Sequence, residues 1–249
     1  SGLLLGRSEV RYMAERLADS LADLTALAKA RPGWATIPFR EGQAHYALAL
    51  EGACRGEDGR ARLRESIARF NESIALRDDN LEAYANRAVA WQLLGESDSA
   101  RGADPLPSFR KATEDYEEVL SRDPKHVNTY VNLGNVGILT GQLQASHGED
   151  PTASFDRAIQ AFDRALALRP DMAEIYNNRG NAICSRADWE GDHGGDPREG
   201  IKKAIQDYDE ALRLRPSLAS SFNNRGTAWN DLGQAETARG IDPTTSYEK

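Results

Sequence analysis

Four asparagines recur at one interval of 46 residues: Asn86, Asn132, Asn178 and Asn224. Asn135 and Asn181 follow two of them by three positions, and Asn128, Asn132 and Asn135 make an i, i+4, i+7 stripe. A carboxamide offers a donor and an acceptor together, which matches what a peptide backbone presents. Asparagine is also a poor residue inside a helix, because its side chain competes for backbone hydrogen bonds. Its repetition therefore has a reason. Either the amides meet an extended chain, or they bond neighbouring helices or face water; the sequence leaves both open. Arg87, Arg179 and Arg225 stand beside the ladder, with Leu133 as the exception. Such cations can hold a ligand carboxylate or pair with acidic residues such as Glu117, Asp163 and Asp209.

The elements that position these residues are read from their punctuation. RGADP at 101–105 returns as HGEDP at 147–151, HGGDP at 193–197 and RGIDP at 239–243, each 46 residues on. Arg55-Gly56-Glu57-Asp58 stands one interval earlier, with Gly59 in the proline's place. Glycine just past a helix reaches the left-handed conformation without a Cβ clash. The cation before it faces the negative end of the helix dipole. Aspartate caps the free N–H groups of the next helix, and proline at the first helical position loses no bond. The motif reads as helix stop, short gap, helix start. A second turn alternates with it at Arg31-Pro32, Asp123-Pro124, Arg169-Pro170 and Arg215-Pro216, with Arg77-Asp78 as the copy lacking proline. Before it, Ile159, Phe162, Ala165 and Leu166 keep to one helical face. Two helices per repeat follow: A, for example about 127–147, and B, about 151–168.

On these residues the chain resembles the tetratricopeptide repeat. In helix A a large residue (Tyr84, Tyr130, Tyr176, Phe222) precedes a small one by four (Ala88, Gly134, Gly180, Gly226; Gly42 in the first copy). In helix B, Phe70, Tyr116, Phe162 and Tyr208 hold the aromatic place, with Leu24 as the first copy. The resemblance covers essentially the whole chain and implies an all-α, right-handed α-solenoid of antiparallel helix pairs with about ten to eleven helices. The expected units are a helix B of a partial repeat at 1–33, repeats at 34–79, 80–125, 126–171 and 172–217, and a partial repeat at 218–249. The family's usual period is 34 residues, and the extra twelve fall between Gly180 and Ala204. The regular caps favour two lengthened helices over a loop there, with 190–197 as the weakest copy.

The resemblance implies a non-catalytic scaffold that holds a protein or extended peptide segment on a concave surface lined by the A helices. The residues expected to hold it are Asn86, Asn132, Asn135, Asn178, Asn181, Asn224, Arg179 and Arg225. The subtype that clamps chaperone carboxylates uses lysines where this chain has Ala85, Val131, Asn177 and Asn223, or Leu93, Leu139, Ser185 and Asp231, so that ligand is not expected. A structural spacer or self-association module of a larger signalling protein is the alternative.

Composition narrows the classes. Thirty-one basic residues are scattered and the net charge is −8, which argues against a nucleic-acid footprint and a polybasic membrane patch. No apolar run approaches a membrane span, and Leu3-Leu4-Leu5 is too short for a signal segment; a cytoplasmic location is expected. Cys54 and Cys184 are not in repeat register and read as small apolar fillers rather than a disulfide or metal pair. Residues 188–196, DWEGDHGGD, lack calcium-loop spacing. No catalytic residue, metal site or cofactor is expected. Trp91 and Trp229 share a register that suits core packing. The chain begins without methionine and reads as a fragment; Lys249 matches Lys203 inside helix B, and the uncapped ends allow end-to-end self-association.

Overall fold

The computed structural model describes residues 2–30 and 33–247, and side chains from residue 16 onward except those of Thr245 and Tyr247. The expected turn at Arg31-Pro32 and the register of Lys249 lie outside these residues. The described chain is helical with short turns, as the all-α α-solenoid reading requires. It divides into two compact units, residues 1–124 and 125–249.

The first unit contains α1 (Gly2–Ala30), α2 (Thr36–Cys54), α3 (Arg60–Leu76), α4 (Leu81–Ser99) and α5 (Leu106–Arg122). The second contains α6 (Val127–Ser146), α7 (Thr152–Leu168), α8 (Ala173–Asp192), α9 (Arg198–Leu214), α10 (Ala219–Ala238) and the short α11 (Thr244–Tyr247). The even-numbered helices α2 to α10 are of A type. The odd-numbered helices are of B type.

Glycines set how closely the helices of a pair approach. A Cβ on Gly134, Gly137 or Gly141 would stand 2.5 Å from Phe162, 3.0 Å from Ala158 and 2.6 Å from Phe155, respectively. Contacts that step forward along α6 and backward along α7 make the pair antiparallel. Gly180 meets Tyr208 in the same way, and in the first unit Gly42 meets Phe70 and Gly95 meets Phe109. Apart from Gly137, each of these glycines is thus a socket for a ring, and the rings of Phe70, Phe155, Phe162 and Tyr208 are at most 2% exposed. Trp91 and Trp229 lie partly buried against the clusters around Ile67 and Tyr208.

The recurring turn closes as its residues dictate. Gly56, Gly102, Gly148, Gly194 and Gly240 have φ between 69° and 85°. In the fourth copy Gly194 N–H donates to Gly191 and Gly195 N–H to Glu190 at 2.8 Å, the paired bonds that end a helix at a left-handed residue. Asp58, Asp104, Asp150, Asp196 and Asp242 then accept from the backbone N–H two residues on, at 2.9–3.2 Å. Between Gly180 and Ala204 the chain is helical to Asp192 and again from Arg198, so the added residues are helix rather than loop. At the second turn Asp123, Arg169 and Arg215, each before a proline, are non-helical, with ψ between 80° and 89°, since a following proline disfavours the helical region; Arg77, before Asp78, is non-helical as well, with ψ 95°.

The cysteines differ. Cys54 is exposed, so the filler reading is corrected there: α2 ends at this residue and turns it to solvent. Cys184 is partly buried, and burial pushes its thiol up to about 12. Only the thiolate attacks a disulfide reagent, and at pH 8 roughly one Cys184 in ten thousand is a thiolate. An aromatic disulfide reagent is therefore expected to titrate one thiol quickly, and Cys54→Ser should remove that fast phase.

Candidate functional site

In the second unit α6 touches α8 and α8 touches α10, whereas α7 and α9 do not touch each other. The A helices therefore adjoin along one edge, and their asparagines share it. Asn178 donates its amide to Asn135 Oδ1 at 3.1 Å. Asn177 donates to Asn178 Oδ1 at 3.2 Å and accepts from Ser221 Oγ at 2.9 Å. Asn224 divides its amide between Asn177 Oδ1 at 3.1 Å and Asn181 Oδ1 at 2.8 Å. The Tyr208 hydroxyl donates to Asn181 at 2.9 Å. Of the expected residues, the fold therefore brings Asn135, Asn178, Asn181 and Asn224 into one network. Asn132 is partly buried on the same unit, and Asn86 belongs to the first unit. Neither makes a side-chain hydrogen bond among the described residues.

A network that joins four helices contributes to stability. Asn181→Ala leaves the Tyr208 hydroxyl without its acceptor and Asn224 with one bond fewer. A loss of about 1–2 kcal/mol is expected, read as a lower urea midpoint at unchanged slope.

Two of the arginines beside the ladder are held on both sides. Arg179 donates Nε and Nη2 to the two oxygens of Asp207 at 2.8 and 2.5 Å, and Nη1 to Asp163 at 2.6 Å. Arg87 does the same with Asp115, at 2.8 and 2.5 Å, and with Asn71 at 2.6 Å. Arg225 has Asp209 at 2.7 Å. The side chains of Asp115 and Asp207 are each 8% exposed. Burial pushes both carboxyls up, against the opposing pull of the guanidinium; the Asp207 and Asp163 bonds raise Arg179 further above its ordinary value.

The other repeats show that this is a matched pair. The place of Arg179 and Asp207 is taken by Leu133 and Ala161 in the repeat before, so cation and anion are absent together. In the first full repeat the charges are reversed, with Glu41 3.8 Å from Arg69. Sequence reasoning found the partner sixteen residues before each arginine at Asp163 and Asp209. It missed the one 28 residues after, although the joint loss at Leu133 and Ala161 was a readable signal. It also missed Asn177 as the buried centre of the amide network.

The turns add contacts between repeats. Arg101 lies 3.7 Å from Asp58, and Arg239 lies 3.6 Å from Asp196 and donates to the Gly195 carbonyl. His193 caps α8 and stacks on Trp189 at 3.7 Å. The hydrogen bonds from Thr152 hold the Asp150 carboxyl below the ordinary carboxylate range, with His193 a smaller cause. Among the described residues no group of His, Cys, Asp or Glu is placed to hold a metal ion, and no helix is long and apolar enough to cross a membrane.

The socket glycines, buried rings and paired helices carry the decisive comparison. Residues 154–183 match the family model of the TPR repeat. That stretch, α7 and the first half of α8, is similar to a tetratricopeptide repeat. The solved structures agree in fold. MamA from Desulfovibrio magneticus RS-1, residues 41 to the end, is 17% identical with a TM-score of 0.51, over 84% of this chain and 90% of that one. The MamA RS-1 ArsTM double mutant is 15% identical with a TM-score of 0.52, over 86% and 96%. YrrB, a TPR protein with an unusual peptide-binding site, is 13% identical with a TM-score of 0.50, over 85% and 84%. No curated protein matches the chain in sequence.

Proposed function

We propose that the chain is a non-catalytic scaffold that binds a protein or extended peptide segment along its A helices. The ligand backbone is read by Asn86, Asn132, Asn135, Asn178, Asn181 and Asn224, with Arg179 and Arg225 at the margin. The supporting observation is the row of carboxamides on adjoining A helices of the second unit, which includes Asn132 with no partner of its own. Helices in contact lie about 8–10 Å apart, and an extended chain advances about 3.3 Å per residue. One amide would therefore meet the ligand about every third residue. YrrB, similar in fold, has a peptide-binding site. A cytoplasmic location belongs to the same proposal.

The amide network also supports the alternative, a spacer or self-association module. Asn178, Asn181 and Asn224 spend hydrogen bonds on one another in the free chain. Asn132 separates the readings, because removing its amide breaks no internal bond. Random twelve-residue peptides displayed on phage are selected against the chain, and the best is titrated against Asn132→Ala. The binding reading expects unchanged melting and roughly fivefold weaker affinity, about 1 kcal/mol. Failure to select any peptide, or equal affinity for the variant, overturns it.

A further inference from the structure

Successive B helices do not touch, and the A helix between them closes the gap with a ring and a cation three residues apart. On α4, Arg87 and Arg122 lie 5.3 and 5.4 Å from the Tyr84 ring centroid. Arg87 also joins Asn71 of α3 to Asp115 of α5. On α8, Tyr176 lies 5.5 Å from Arg179, which joins Asp163 of α7 to Asp207 of α9.

On α2 both ring and cation are missing. In repeat register Pro38 stands in the place of Tyr84 and Tyr176, and Glu41 in that of Arg87 and Arg179. Proline is at home there, because in the first turn of α2 its missing N–H has no helical partner. The result is an open cavity of about 410 Å³ among α1, α2 and α3, a size typical of small-ligand sites. All three helices that form it belong to the described chain, so the opening follows from the residues they carry. The buried Ile37 and Pro38 line it, with Trp34 and Leu76, which are 51% and 50% exposed.

Glu41 also lines this cavity, and its side chain is 8% exposed. Thr25 Oγ1 lies 3.3 Å from Glu41 Oε1, but it donates its one proton to the Leu21 carbonyl at 2.8 Å. Arg69 gives Nη1 to Glu72 at 2.9 and 2.8 Å and stays 3.8 Å from Glu41. Among the described residues, then, this buried carboxylate has no close donor, and a buried charge is costly until it is paired. His45 lines the cavity as well. Burial, with Arg62 and Arg69 nearby, pushes its imidazole below the ordinary value, so at neutral pH it does not repel a cation.

We infer that the cavity binds an aromatic ring carrying an ammonium group. The ring takes the place that Tyr84 and Tyr176 fill in other repeats, between Pro38, Trp34 and Leu76. The ammonium takes the place of the arginine and donates to Glu41. Two methylenes between ring and nitrogen span such a separation when extended. A free arylalkylamine carries this pair of groups, and so does the N-terminal phenylalanine of a peptide. The site uses none of the asparagines of the amide row and holds whether or not a peptide lies there.

Phenethylammonium is titrated into the 249-residue chain while the indole N–H resonances of its four tryptophans are followed by nuclear magnetic resonance. Trp34→Phe identifies the resonance of Trp34. A saturable shift of that resonance below about 1 mM is expected, within reach of so small a ligand. Pro38→Tyr places the chain's own ring in the cavity and should abolish the shift with circular dichroism unchanged. Glu41→Gln should weaken phenethylammonium at least about tenfold, the effect of a hydrogen bond to a charged group, and leave the neutral phenethyl alcohol unaffected. This second variant decides the matter if Pro38→Tyr does not fold. Phe-Gly-Gly amide in a parallel titration distinguishes the sources: tighter binding than the amine assigns the site to a chain N-terminus, weaker binding to a free amine. No saturable shift at Trp34 with either probe, binding that survives Pro38→Tyr, or equal affinity for the parent and Glu41→Gln overturns the inference.

Discussion

Arg179→Leu is expected to destabilise the second unit by about 3–5 kcal/mol, the range for breaking one side of a buried ion pair. The loss arises less from the missing attraction than from what remains. The Asp207 side chain is 8% exposed and accepts two charged hydrogen bonds from Arg179. Without them a carboxylate stays buried beside Tyr208 with no cation. The neighbouring repeat supplies the remedy, since it carries Leu133 and Ala161 at the two places. Adding Asp207→Ala to Arg179→Leu should recover most of the loss, because an apolar pair of suitable size often replaces a buried ion pair at little cost. Urea unfolding followed by circular dichroism checks both steps. A single variant as stable as the parent, or a double variant no better than the single, would show that the pair is not matched by packing.

Phe162→Ala is the second large effect, at about 3–5 kcal/mol. The ring is fully buried and lies over Gly134, Ala158 and Ala165, with Ile175 and Ala182 from the next A helix in the same cluster. One side chain therefore joins the pair α6–α7 to α8. A glycine socket cannot collapse onto the void, because Gly134 has no side chain to move. In arrays where each repeat touches only its neighbours, stability is a sum of local terms. The loss should appear as reduced amide-exchange protection in α6, α7 and α8, with α2 and α3 unchanged. Uniform loss across the chain would contradict this locality.

The turns and helix pairs were legible in the sequence because their causes are local. A left-handed glycine, an aspartate two residues before a helical N–H and a residue made extended by proline act within five positions. Gly194 and Asp196 illustrate this in the weakest copy. The aromatic over the small residue was legible through the family pattern, as at Gly180 and Tyr208. A second layer, Phe109 over Gly95 and Phe155 over Gly141, was present at the same interval and went unread. The internal use of the asparagines was not legible. The burial of Asn177 depends on Ser221, 44 residues later, and nothing in its neighbourhood marks it. Cys54 was misread from its residue type alone, although the stop at Arg55-Gly56 already placed it in the last turn of α2.

The central claim is that the carboxamides of adjoining A helices read a peptide backbone. Side-chain amide resonances of Asn86, Asn132, Asn135, Asn178, Asn181 and Asn224, followed by nuclear magnetic resonance while a display-selected peptide is added, test it most directly. Saturable shifts are expected at Asn132 first, and at Asn178 and Asn224 as they exchange internal bonds for bonds to the ligand. Saturation of binding with all six resonances unmoved would contradict it.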